Sequence, residues 1–76
     1  MLLDNNTHPE RDIYYLGSVL LSVLEASEND KVDFFDTFEK FKEVEDVSMS
    51  LYGLTLDWLF LLGAVKFDRK YIKKCF

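Results

Sequence analysis

The stretch Ser48-Met49-Ser50-Leu51-Tyr52-Gly53-Leu54-Thr55-Leu56-Asp57-Trp58-Leu59-Phe60-Leu61-Leu62-Gly63-Ala64-Val65-Lys66-Phe67-Asp68-Arg69-Lys70-Tyr71-Ile72-Lys73 decides the fold. Ser48 or Ser50 can cap a helix, and apolar residues then recur at helical spacing to about Leu62. Gly63 stands where a left-handed residue closes a helix. Beyond it, Val65-Lys66-Phe67 and Tyr71-Ile72-Lys73 alternate around Asp68-Arg69-Lys70, which predicts a small hairpin. A helix stopped by glycine and followed at once by a hairpin is the closing half of a winged helix-turn-helix.

The upstream chain supplies the other half. Thr7 precedes Pro9 and Glu10, a polar cap followed by proline and an acid, so a first helix is expected to open near residue 9. Ile13, Leu16, Leu20, Val23, Leu24 and Ser27 then follow the 3.6-residue period and form its core face. Ser27-Glu28-Asn29-Asp30 ends it as a polar turn. Asp30-Lys31-Val32-Asp33 is a brief connector with room for one β-bridge, and Asp33 is a good cap for the next helix. Phe34, Phe38, Phe41 and Val44 recur through Asp33–Glu45, with Glu39, Lys40, Lys42 and Glu43 facing water. The expected fold is mainly α: a three-helix winged helix-turn-helix-like domain with a small C-terminal β-hairpin, residues 1–76 forming one domain. A plain three-helix bundle with a frayed tail is the alternative. Gly17, inside the first helical pattern, costs about 1 kcal/mol relative to Ala and suggests a close approach by helix three or by a partner.

The chain has 76 residues, which rules out two-domain readings. Apolar burial worth on the order of 120 kcal/mol is nearly cancelled by an ordering cost on the order of 115 kcal/mol. A bound partner or self-association is therefore a natural stabiliser. The net charge of −5 is unevenly spread. Residues 1–64 carry thirteen acids and four bases, a balance of −9, whereas residues 65–76 carry five bases and one acid, a balance of +4. Such a body repels nucleic acid, while the tail can touch a phosphate or an acidic partner. No basic leader follows Met1, and the longest apolar run, Trp58 to Val65, is too short for a membrane span. The single Cys75 fits a reducing compartment, so the expected location is cytoplasmic with no membrane partner.

Catalysis needs a nucleophile with a base, paired carboxylates or a metal set. His8 has no second His or Cys to share a metal, Cys75 has no base beside it, and Gly17, Gly53 and Gly63 are isolated rather than gathered in a phosphate loop. The expectation is no catalytic residue, no metal and no cofactor. The third helix carries the functional signal instead. Leu51, Leu54, Trp58, Leu61 and Leu62 form one face, yet Tyr52, Leu56, Leu59 and Phe60 continue around the cylinder. A DNA-reading helix would present Arg, Lys, Asn or Gln there, and none stands between Ser48 and Gly63. A helix apolar all round in so small a body is expected to meet another chain. Tyr14, Leu21 and Tyr15 on helix one point the same way. The expected protein-interface residues are Tyr14, Tyr15, Leu21, Tyr52, Leu56, Leu59 and Phe60. Arg69, Lys70, Lys73 and Lys74 form a basic tail suited either to a nucleic-acid backbone or to an acidic partner.

Two stretches carry a family resemblance. Asn6-Thr7-His8-Pro9-Glu10-Arg11 leading into Tyr15-Leu16-Gly17-Ser18-Val19-Leu20-Leu21, and Leu54-Thr55-Leu56-Asp57-Trp58-Leu59-Phe60-Leu61-Leu62-Gly63-Ala64-Val65, resemble the short middle components of three-component ABC ATPase systems. The resemblance spans most of the chain, and the Leu56 to Val65 block before the hairpin is its most specific part. It implies a small adaptor that links a large SMC/Rad50-like ABC ATPase to an effector, often a nuclease, in prokaryotic defence against phages and plasmids. It implies no catalytic residue, and makes Leu56, Leu59, Phe60 and the Gly63-Ala64-Val65 corner positions that serve fold or interface. The Phe-rich second helix, with Phe34, Phe35, Phe38 and Phe41, has no counterpart in that pattern. Two other readings stay open: a homodimer, or a small winged-helix DNA-binding regulator that uses the basic tail, with DNA otherwise touched only weakly or indirectly. A toxin-neutralising or phage-encoded inhibitor would share the acidic interface logic.

Overall fold

The computed structural model describes residues 12–76. Six elements follow in order: α1 (Ile13–Glu25), β1 (Lys31–Asp33), α2 (Phe34–Val44), α3 (Met49–Leu61), β2 (Val65–Asp68) and β3 (Tyr71–Lys74). The strands form one antiparallel sheet in the order β1-β3-β2. This is the expected winged helix-turn-helix-like arrangement, with the connector paired as a full third strand rather than a single bridge.

Each helix starts on a side chain that relieves its unpaired amides. Asp12 is extended and accepts from the Tyr14 amide at 2.8 Å, so α1 opens at Ile13 rather than near residue 9. The Thr7, His8, Pro9 and Glu10 lead-in lies outside the described residues. Asp33 accepts from the Phe35 and Asp36 amides at 3.0 Å, and Ser48 accepts from the Leu51 amide at 3.1 Å. At the end of α3, Gly63 takes φ 81°. Its amide donates to the Phe60 carbonyl at 3.0 Å and the Ala64 amide to the Leu59 carbonyl at 2.9 Å, the paired bonds of a Schellman closure. That closure turns the chain directly into β2.

The register sorts the sheet into two faces, because successive side chains alternate. Val32, Ile72 and Phe67 are cross-strand neighbours, as are Val65 and Lys74, on the face that meets the helices. Lys31, Lys73 and Lys66 lie abreast on the opposite face, beside Asp33, Tyr71 and Asp68. The Phe34 amide donates to the Lys70 carbonyl and the Lys74 amide to the Asp30 carbonyl, each at 2.8 Å, so β1 is clamped at both ends.

The core joins Leu16, Leu20 and Leu24 of α1, Phe41 of α2, Val47, and Tyr52, Leu56 and Leu59 of α3 to Val65 and Ile72 of the sheet. Its polar groups are satisfied: Tyr52 donates its hydroxyl to the Phe34 carbonyl at 2.6 Å, and Thr37 and Thr55 donate to the Asp33 and Leu51 carbonyls at 2.8 Å. Gly17 is buried where α1 crosses α3, and a Cβ there would stand 3.2 Å from the Trp58 ring. The close approach is thus internal, and the neighbour is the Trp58 side chain rather than a second backbone.

Candidate protein-docking surface

The buried side of α3 is Tyr52, Thr55, Leu56 and Leu59. Tyr52 is 0% exposed, and Leu56 and Leu59 are 1% exposed. The sequence pattern points to these three as interface residues; they are core residues instead, with almost no surface left for a partner. The core residues of α1, α2 and the sheet gather on that side of α3, α1 covers Trp58 at Gly17, and Leu54, Leu61 and Leu62 are left exposed. Tyr52 shows the depth of burial in its chemistry, since burial and then the Asp33 charge push its phenol above the usual value.

The solvent side therefore falls on residues assigned to the other face. Leu54 is 59% exposed, Leu61 76% and Leu62 60%, with Leu51 and Trp58 half-buried beside them. Tyr14 of α1, 71% exposed, sets its ring edge against Trp58 at 5.3 Å between centroids. On the opposite flank Phe60 stacks on Phe67 of β2 at 5.4 Å. Between α3 and the hairpin an open groove of about 600 Å³ is lined by Phe34, Gly53, Leu54, Asp57, Phe67 and Arg69 among others. Large exposed apolar side chains that adjoin one another in this way mark an interaction site.

Asp57 was the signal that could have placed this face. An unpaired carboxylate stays in water, and in a helix its neighbours at i−3 and i+4 share its side. Those neighbours are Leu54 and Leu61.

The other expected interface residues divide. Tyr14 and Phe60 lie on the open surface. Tyr15 donates its hydroxyl to Glu45 at 2.7 Å, which ties α1 to the end of α2. Leu21 is half-buried and packs against the core.

The basic tail does not form one patch. Lys74 points to the helix side of the sheet, where its Nζ donates to the Leu24 carbonyl at 3.0 Å and the Ser27 carbonyl at 2.6 Å. It neutralises the C-terminal end of α1 and is unavailable as a contact for nucleic acid. Lys70 sits 3.9 Å from Asp33 and over the Tyr71 ring. Arg69 holds the hairpin turn at φ 58°, and Lys73 faces the other way, between Lys31 and Lys66. Lys31 bonds Asp68 at 2.6 Å, a contact that raises the lysine pKa and lowers that of the carboxylate. Among the described residues, no group of three or more His, Cys, Asp or Glu could hold a metal. No helix among them is long and apolar enough to cross a membrane.

Against this geometry the sequence comparison is decisive. Residues 2–75 match the family model of the ABC-three component (ABC-3C) system Middle Component 6. The chain belongs to that family. Middle Component 6 is by description one component of a multi-component ABC system, which agrees with an exposed apolar face and with the resemblance noted above. No curated protein and no solved structure matches this Middle Component 6 chain.

Proposed function

We propose that this middle component is a non-enzymatic adaptor that binds the large SMC/Rad50-like ABC ATPase of its system and couples it to an effector, in defence against phages or plasmids. The observation that carries the reading is the solvent face of α3. In a helix-turn-helix DNA reader, the corresponding helix presents cationic and amide side chains to the groove. Here Leu54, Trp58 and Leu61 stand there with Asp57 as the one charged residue of α3, and Tyr14 extends the apolar surface onto α1. Such a surface repels a phosphate backbone and gains by burial against protein.

The test is affinity purification of the tagged chain from its native host at high salt with nuclease treatment, with the retained proteins identified by mass spectrometry. Leu54→Glu plus Leu61→Glu should abolish the complex, since two carboxylates would be desolvated on assembly. Circular dichroism should show an unchanged fold, because both positions are exposed. Retention of the ATPase by that double variant, or retention of duplex DNA by the isolated chain with loss on Lys73→Glu, would overturn the adaptor reading.

A further inference from the structure

Gly17 and Gly63 are explained inside the fold, the first pressed against the Trp58 ring and the second at φ 81°. Gly53 is not. It sits within α3, where only proline is a poorer helix former, and no atom of the described residues lies within 4 Å of the Cβ it lacks. Alanine there would strengthen the helix without crowding anything, so the bare backbone serves a contact from outside the fold. Arg69 repeats the pattern across the groove. It holds the first position of the hairpin turn at φ 58°, a left-handed conformation that favours glycine, asparagine or aspartate, and it makes no ion pair among the described residues. Both residues line the open groove between α3 and the hairpin. We propose that this groove takes an acidic segment of a partner protein, with one large apolar side chain seated over Gly53 and carboxylates against Arg69 and the lysines behind it. The inference rests on the adaptor reading: an adaptor holds two partners, and the groove is a second surface beside the strip of Tyr14, Trp58 and Leu61.

The lining selects both halves of that occupant. Phe34, Leu54 and Phe67 wall the groove, with bare backbone at Gly53, so its interior favours an apolar side chain. Its hairpin side is basic. Behind Arg69, Lys66 and Lys73 are direct cross-strand neighbours that make no ion pair among the described residues, and such opposed like charges weaken the sheet until an anion lies over them. The carboxylates of that sheet face, Asp33 and Asp68, already meet Lys70 and Lys31. Asp57, on the helix wall, is the one carboxylate among the lining residues and offers acceptors to the main-chain amides of the segment. A nucleic-acid duplex has no apolar side chain to seat over Gly53, and its phosphates would meet Asp57 and the acidic body.

The probe is a short capped peptide with Glu on both sides of a central Trp. Its controls carry Ala for Trp or Lys for Glu. Binding to the full-length chain is read by fluorescence anisotropy at low salt. The Glu–Trp peptide should bind, and both controls should bind at least about tenfold more weakly. Gly53→Ala should raise the melting temperature by a few degrees, because its Cβ enters open space. Gly53→Leu should fill the groove and weaken the Glu–Trp peptide by about tenfold or more without melting lower than the native chain. Arg69→Gly should weaken it at no loss of stability, since glycine accepts φ 58°. Lys66→Gln plus Lys73→Gln should weaken it by an amount that shrinks at high salt. Loss of binding joined to unchanged or greater stability separates a docking groove from a structural role. Equal binding of either control, undiminished binding by Gly53→Leu, a lower melting temperature for Gly53→Ala, or no binding at all would overturn the inference. So would tighter binding of a duplex oligonucleotide than of the Glu–Trp peptide, or a concentration-dependent dimer that Gly53→Leu dissolves. Recovery of the ATPase is read separately. If the ATPase is retained through Leu54 and Leu61 while no acidic peptide binds, this inference falls and the adaptor reading stands; if the peptide binds and no ATPase is recovered, the groove stands and the adaptor reading falls.

Discussion

Lys74 is the residue on which three elements depend. Its backbone sits in β3 opposite Val65, its amide bonds the Asp30 carbonyl ahead of β1, and its ammonium bonds two carbonyls at the end of α1. A half-buried cation at a helix C-terminus that makes two charge-assisted hydrogen bonds contributes on the order of 1–3 kcal/mol. Lys74→Met should therefore lower the denaturant midpoint by a corresponding amount, while Lys73→Met, on the outer face between two other lysines, should be neutral or stabilising. Urea unfolding of the two variants decides it. The sequence places both lysines in a basic tail and gives no sign of their separate roles. Strand alternation alone sends them to opposite faces, and only the position of α1 behind the sheet gives Lys74 its partners.

At the scale of the element, α3 shows where pattern reading succeeds and where it stops. Its ends were legible, because Ser48 and Gly63 act through local hydrogen bonds that sequence neighbours determine. Its orientation was less so, because apolar residues surround the cylinder and periodicity cannot choose between two equally apolar sides. The choice was made by tertiary packing against Gly17 and the Phe41 region, with Asp57 as the only local marker. Leu59→Ala should thus cost about 2–5 kcal/mol by opening a core cavity. Leu61→Ala, two residues on, should stay within about 0.5 kcal/mol and leave the fold intact. A reversed order of effects in thermal unfolding would mean that the helix is rotated. The β1 strand follows the same rule: the Asp33 cap was readable, but three residues alternate too briefly to announce a strand without β3 beside them.

At the scale of the whole molecule, electrostatics sets the range of pH over which the fold is secure. The Lys31–Asp68 contact joins the connector before α2 to the hairpin, and both side chains are half-exposed. Asp68 has its pKa lowered by the Lys31 hydrogen bond, so its contribution is present above about pH 4 and is lost as pH falls through the lower folded value. Lys31 has its pKa raised by the same bond, so its contribution is complete below about pH 10.5 and is lost as pH rises through the higher folded value. Tyr52 acts in the same direction at the alkaline end. Its phenol ionises near pH 10 when unfolded and is held neutral in the core, so stability should fall by about 1.4 kcal/mol per pH unit above that point. Tyr52→Phe should remove that alkaline slope while weakening the fold at neutral pH through loss of the bond to Phe34, and Asp68→Asn should flatten the acid side. Denaturation midpoints between pH 3 and 11 measure both.

The placement of β3 in the middle of the sheet bears on the order in which the chain assembles. Its pairing with β2 needs only a two-residue turn, a microsecond event, whereas its pairing with β1 closes a loop of roughly 40 residues that contains α2 and α3. The hairpin and α3 can therefore dock first, and β1 joins late, once α2 has packed across the gap. Val32→Ala, at the centre of the β1–β3 pairing, should accelerate unfolding and leave the folding rate nearly unchanged, while Ile72→Val should slow folding. Stopped-flow kinetics would thus reveal β1 as a latch: the strand that arrives last and, by its release, sets how long the folded chain endures.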